Sequence, residues 1–293
     1  MEQTKLNIAA TLKQAFVLYR QNFGALLKFS LVSFLCSLPA VIGGYILKMG
    51  RMGVFAQMEA LEQIPSFMEM MLPSFLVMLV SQAVQYTIGA KNELGVQFYL
   101  ADITAAGEGE KPTLKSAYAQ TKGRVASLAG NQFILSLIGS VVFGSFTVLF
   151  NVLVMQKDSD QRLATDIFMS VLSLVSGLVY PWSLLLKPAA AFGEKSRSKL
   201  GLVSRMFKGS FWRVLVVAFA GKAISTIYSE ITRFVSVNSY VNTSIRTVIF
   251  LFVFGFYSAA AFAAYQALNA KPEPEEASAI EEDCENTAEH DPA

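Results

Sequence analysis

The sequence predicts an all-α, polytopic membrane protein whose six transmembrane helices form three repeats of an interfacial amphipathic helix plus a transmembrane hairpin. Three observations carry that prediction. First, the chain has 293 residues, of which 53% are hydrophobic and only 16% charged; soluble domains carry roughly a quarter of their residues as Asp, Glu, Lys and Arg. Second, long apolar runs recur at 26–47, 72–90, 128–155, 167–186, 211–227 and 247–268. Each is close to the ~18–20 residues that cross a ~30 Å hydrocarbon core, and hydrocarbon leaves an unpaired backbone group no partner, so such spans must be helical. Third, the bases are unevenly spread. Threading six spans puts 17 of the 24 Lys and Arg residues on one side, six on the other, and Lys222 alone between them. That bias places both termini in the cytoplasm.

The elements follow in order. "TLKQAFVLYRQNFGALL" from Thr11, "TLKSAYAQTKGRVASLA" from Thr113 and "KLGLVSRMFKGSFWRVL" from Lys199 resemble one another. Each has apolar residues at helical spacing and a base just before the next span: Arg20, Lys122 and Lys208. A helix of that kind rests in the interface, apolar face in the acyl boundary and bases among anionic headgroups. The repeat units run over about 5–100, 108–192 and 196–269, so that 1–270 is one integral membrane domain. The first apolar run is not expected to be a secretory signal, since it follows a charged segment of more than twenty residues. The outer connection 48–71 suits a surface helix that presents Phe55, Met58 and Leu61 to headgroups and Glu59 and Glu62 to water. In the fourth run Pro181 and Pro188 should kink or loosen the helix. Ser140 with Gly144, and Ala260 with Ala264, offer small faces for helix contact. Residues 271–293 are acidic, carry two prolines near their start, and are expected to form a disordered cytoplasmic tail.

Familiar chemistry is absent from this pattern. The one histidine, His290, lies in the tail, so neither a histidine metal site nor a Ser-His-Asp triad is expected. Cys36 and Cys284 form no disulfide framework or ligand cluster. "GEGEKPT" at 107–113 lacks phosphate-loop spacing. No cofactor, metal or enzymatic activity is therefore expected. What remains is polarity inside the spans: Gln82, Gln85, Asn131, Gln132, Asn151 and Lys222. Lys91, Glu93 and Lys187, nearer the cytoplasmic ends, should snorkel or pair. A centred lysine costs about 2.5–3.5 kcal/mol on insertion scales and usually faces protein or water. Gln82, Gln85 or Asn131 are the expected partners of Lys222, which either packs structurally or draws an anion into a midplane cavity.

The three related segments, the "FKGSFWRVLVV" approach to the fifth span and the six-span layout resemble a loose superfamily of bacterial integral membrane proteins. It includes the YciC-like proteins and the membrane domain attached to some glycerophosphodiester phosphodiesterases. The resemblance covers roughly residues 6–268 and carries no catalytic signature. It implies a stand-alone membrane module of the bacterial cytoplasmic membrane, in envelope or lipid physiology, without the phosphodiesterase activity. The leading expectation is a non-enzymatic protein that binds anionic lipid through Lys13, Arg20, Lys115, Lys122, Arg124, Lys199, Arg205, Lys208 and Arg213. Its partners would be membrane phospholipids, anionic ones by preference, with a membrane-protein partner or homo-oligomer besides; nucleic acid is not among them. The rival expectation is a transporter or lipid translocator with Lys222 lining a midplane cavity.

Overall fold

The structure is a computed structural model that describes residues 6–39, 76–77, 79–106, 112–154, 167–168, 171–172, 175, 177–194, 199–234 and 239–269. The surface helix expected within 48–71, the Ser140/Gly144 face, the side chain of Asn151 and the acidic tail at 271–293 lie outside the described residues and side chains. Every element among the described residues is helical.

Asn7 opens the first helix, α1 (Ile8–Gln21), its side chain accepting from the Ala10 amide at 3.2 Å. That cap satisfies one of the amides a helix start leaves unpaired. At Asn22 the chain turns through 89° into α2 (Phe23–Pro39). A π-helical turn at Gln85–Gly89 leads into α3 (Ala90–Ala106). Thr113 caps α4 (Leu114–Gln120) by accepting from the Ser116 amide. A turn at 121–124 then starts α5 (Val125–Val154). After a short 3-10 turn, Gly177–Val179, come α6 (Tyr180–Phe192) and α7 (Lys199–Met206). A second turn at 207–210 precedes α8 (Phe211–Phe234), and α9 (Ser239–Asn269) closes the described chain.

Thus α1, α4 and α7 each stop at a tight turn that redirects the chain into a longer helix. Two of these turns need glycine: Gly123 and Gly209 sit at φ +78° and +85°, where a Cβ would meet the neighbouring carbonyl oxygen. Both stand directly after the bases Lys122 and Lys208. Among the described residues two stretches are long and apolar enough to cross a membrane, Phe211–Thr232 and Val241–Asn269. A third is available if the bent pair α1 and α2 counts as one span.

The core lies where α3, α6, α8 and α9 meet. Ala259, Ala260, Ala261, Ala263 and Ala264 of α9 are fully buried, as are Leu184 and Leu185 of α6, Leu94 and Leu100 of α3, and Val214 and Val217 of α8. Small side chains let helix backbones approach closely where no hydrophobic effect drives association. Among the described residues α1 and α9 are joined as well. Tyr19 of α1 packs edge-on against Phe256 of α9 at 5.9 Å, and the Gln14 amide donates to Gln266 at 2.9 Å.

Pro181 differs from expectation. It occupies the first turn of α6, where a missing N–H removes no helical bond, so it starts a helix instead of kinking one. Pro188 does lie inside α6, within its buried face.

Candidate functional site

Two cavities, of about 420 and 610 Å³, meet at one group of side chains. Gln85, Glu93, Gln132, Tyr180, Ser183 and Lys222 line both, so the two are lobes of a single chamber with polar groups at its centre. It draws on the π turn before α3, on α3 itself, α5, α6 and α8, with α9 as a wall. The first lobe continues past Gln82 and Tyr86 to Ser136 and Gly139 of α5. The second follows α8 and α9 past Ser225, Tyr228 and Ser229 to Arg246.

At the junction Lys187 Nζ stands 2.7 Å from Glu93 Oε1, and the Gln132 amide donates to the other carboxylate oxygen. Both oxygens of Glu93 are thereby partnered, which a charge held in low dielectric requires. Lys187 also lies 5.6 and 5.4 Å from the ring centres of Phe254 and Tyr257. Lys222 is held differently. Its Nζ sits 4.2 Å from the centre of the Tyr180 ring and 5.0 Å from that of Tyr257. Among the described residues it has no carboxylate within ion-pair distance. Contact with aromatic faces attracts an ammonium by ~0.5–2 kcal/mol, which offsets only part of its desolvation.

Glycines let these rings come close. A Cβ on Gly221, next to Lys222, would lie 2.9 Å from Tyr257 Cδ2. One on Gly177 would lie 2.3 Å from Phe219 Cζ, and the Phe219 ring in turn packs on Tyr180 at 5.3 Å. Tyr257 is pinned further by its hydroxyl, 3.5 Å from Ser183 Oγ. A second buried polar cluster lies nearer the short helices. Asn92 of α3 donates to Phe29 O and Ser33 Oγ of α2, at 2.9 and 2.8 Å, and accepts from the Tyr118 hydroxyl of α4.

The sequence-predicted residues divide into four groups. Gln82 and Gln85 line the chamber with Lys222. Asn131 does not: its amide donates to Ser127 O, and its oxygen accepts from the Leu200 amide at 3.3 Å, so it joins α5 to α7. Lys13, Arg20, Lys115, Lys122, Arg205 and Lys208 are exposed on or beside the three short helices. Three other bases expected to meet lipid are engaged by the protein. Arg124 donates to Ala190 O and Gly193 O at 3.2 and 3.1 Å, satisfying the carbonyls that end α6, where the helix dipole favours a cation. Arg213, though exposed, donates to Leu6 O at 3.2 Å. Lys199 is only 1% exposed and donates to Glu194 O. Burial pushes its ammonium below its ordinary pKa, with Arg124 adding to that and Glu194 opposing it.

The pairing expected near the ends of the second and fourth runs is present as Glu93–Lys187. Tyr180, Ser183, Tyr257 and Arg246 were not singled out by the sequence. One signal was there: Lys222, Ser225, Ser229 and Thr232 recur at helical spacing of three and four, a polar stripe on one face of α8. Chemically, the chamber offers two ammonium groups against one carboxylate, with neutral amides and hydroxyls around them. Among the described residues no cluster of His, Cys, Asp and Glu could hold a metal ion. Comparison with protein-family models, curated proteins and solved structures finds no match to this chain.

Proposed function

We propose that this chain is a non-enzymatic, multi-pass membrane protein that receives an anionic group, carried by a lipid or a solute, in the chamber around Lys222. One observation carries the reading: Lys187 is neutralised by Glu93 at 2.7 Å, whereas Lys222 faces the same space with aromatic rings and no carboxylate partner among the described residues. A cation placed among apolar helices is disfavoured unless something in the site compensates it. A bound anion supplies that compensation. The cavity volumes also fall in the ~300–1,000 Å³ range of small-molecule sites. The full reading has six spans in three units, in a bacterial cytoplasmic membrane with both termini inside. It extends the two to three spans described above by the apolar runs and the base asymmetry of the sequence.

Proteoliposome assays test this. Lys222→Met should abolish anion binding or movement while the protein still elutes as a folded monodisperse species. Unchanged binding or movement makes Lys222 a packing residue and removes the proposal.

A second role is compatible with the first and rests on a separate observation. Lys13, Arg20, Lys115, Lys122, Arg205 and Lys208 are all exposed, and Phe16, Val17 and Trp212 beside them are exposed too. Bases flanked by open apolar side chains suit an anionic headgroup layer. Neutralising three of them together should weaken association with anionic liposomes, each base contributing about 1 kcal/mol near such a surface.

A further inference from the structure

The 610 Å³ lobe carries a third cation that the Lys222 site does not use. Arg246 of α9 lines it at the end remote from α1, α4 and α7, and it is exposed. Its Nε donates to Asn242 Oδ1 and its Nη2 to Thr232 Oγ1, both at 3.0 Å. Asn242 Oδ1 is itself fixed by the Tyr228 hydroxyl at 3.2 Å. Every partner is neutral, and among the described residues no carboxylate pairs with this guanidinium. Two acceptors orient a group that has five N–H donors, so it keeps its charge, a fixed direction and spare donors.

Between Arg246 and Lys222 the wall of α8 is hydroxylic. Thr232, which Arg246 touches, lies ten residues from Lys222, about 15 Å along a helix. Ser225 and Ser229 fall between them in the same lobe. Ser225 donates its hydroxyl hydrogen to Lys222 O at 2.8 Å, and Thr232 donates to Ser229 O at 3.1 Å. Hydroxyls whose hydrogens are committed to the backbone wet the path without gripping an anion, and passage needs stations that hold and intervals that release. Toward the short helices, by contrast, Ala259–Ala264 of α9 pack with almost no exposure.

We propose that the chamber is loaded from one side only, and that Arg246 is the outer station at which an anionic phosphate or carboxylate group is caught before it moves along the α8 stripe to Lys222. This rests on the reading of Lys222 as an anion site, and it adds a direction, a mouth and a second binding residue.

The test is charge-selective thiol labelling of the full chain in liposomes. Ser225→Cys places a reporter between the stations, in a background lacking Cys36 and Cys284. An anionic thiol reagent should modify it about tenfold faster than a neutral reagent of similar size, after correction for their intrinsic rates, since charge-lined clefts raise encounter rates by roughly 10- to 1,000-fold. Arg246→Gln should remove that preference and leave the neutral rate as it was. Arg246→Lys should restore part of it. A preference that survives Arg246→Gln overturns the outer station, and labelling from the side of the short helices overturns the one-sided mouth. The underlying reading is tested in the same preparation by protection of the reporter. Protection by inorganic phosphate supports a soluble anion, and protection only in phosphatidylglycerol vesicles, against phosphatidylcholine ones, supports a lipid headgroup. In either case Lys222→Met should abolish it. Protection by neither, or protection indifferent to Lys222→Met, overturns the anion site itself, whatever Arg246 does.

Discussion

Glu93→Gln is the sharpest single perturbation of the chamber. The carboxylate holds Lys187 at 2.7 Å, the two side chains being only 19% and 9% exposed. Removing one partner of a buried pair costs about 3–5 kcal/mol, most of it from the charge left behind. Two features lower that figure here. Lys187 would still lie against the rings of Phe254 and Tyr257, and a glutamine at 93 would still accept from Gln132, as Glu93 does. The expected loss is therefore about 2–3 kcal/mol. Lys187→Met should cost a similar amount, because it strands the carboxylate. Glu93→Gln combined with Lys187→Met removes both charges and should cost much less than the sum, leaving a coupling of about 2 kcal/mol. Denaturant titration of the four purified proteins in detergent measures all of these values. Single costs that simply add, within about 0.5 kcal/mol, would refute the claim that the pair is a desolvated unit and not two independent, hydrated groups.

Three further outcomes are expected. Asn92→Leu should destabilise by about 2–3 kcal/mol, since it takes the partner from the Tyr118 hydroxyl and from Ser33 Oγ at once; amide exchange in α2 and α4 should rise with it, and a loss confined to α3 would contradict the bridging role. Gly221→Val should displace Tyr257, whose Cδ2 stands 2.9 Å from where a Cβ would go, and so weaken anion binding at least as much as Tyr257→Leu; binding equal to the parent's would show that the aromatic contact is dispensable. Lys199 gives a pH dependence: its folded pKa lies below the ordinary 10.5, so the unfolded chain binds the proton more tightly and stability rises as pH climbs toward 10.5. Melting curves from neutral pH to about pH 10 should show that slope in the parent and a shallower one in Lys199→Met; equal slopes would place the proton elsewhere.

Much of the helical framework was legible, and for a simple reason. An apolar run long enough to span, and a base before a turn glycine, are local properties of the chain. Lys222 was legible too, because a charge in such a run is rare enough to stand out. Its surroundings were not. Tyr180 and Tyr257 look like ordinary apolar-run tyrosines in sequence, and only the meeting of α6, α8 and α9 puts an ammonium between them. Asn131 had the same apparent merit as Gln85, yet it faces α7 while Gln85 faces the chamber. Which side a polar residue takes depends on which helices flank it, and periodicity within one helix does not carry that information. Lys199 and Arg124 show the converse. Read as lipid-facing for their charge, they are held by backbone carbonyls instead: Lys199 locally by Glu194 O, and Arg124 by Ala190 O and Gly193 O, a contact that exists only once the end of α6 lies beside it.

The clasp between α1 and α9 has a consequence for biosynthesis. Gln14 and its partner Gln266 are 252 positions apart, so the N-terminal helix is made long before the surface that covers Ala15 and Leu18 has left the ribosome. Until then its apolar side has only the lipid interface or a chaperone to rest on. Closing α1 against α9 thus waits until residue 266 has been made, and a chain cut short before 266 leaves α1 without that partner.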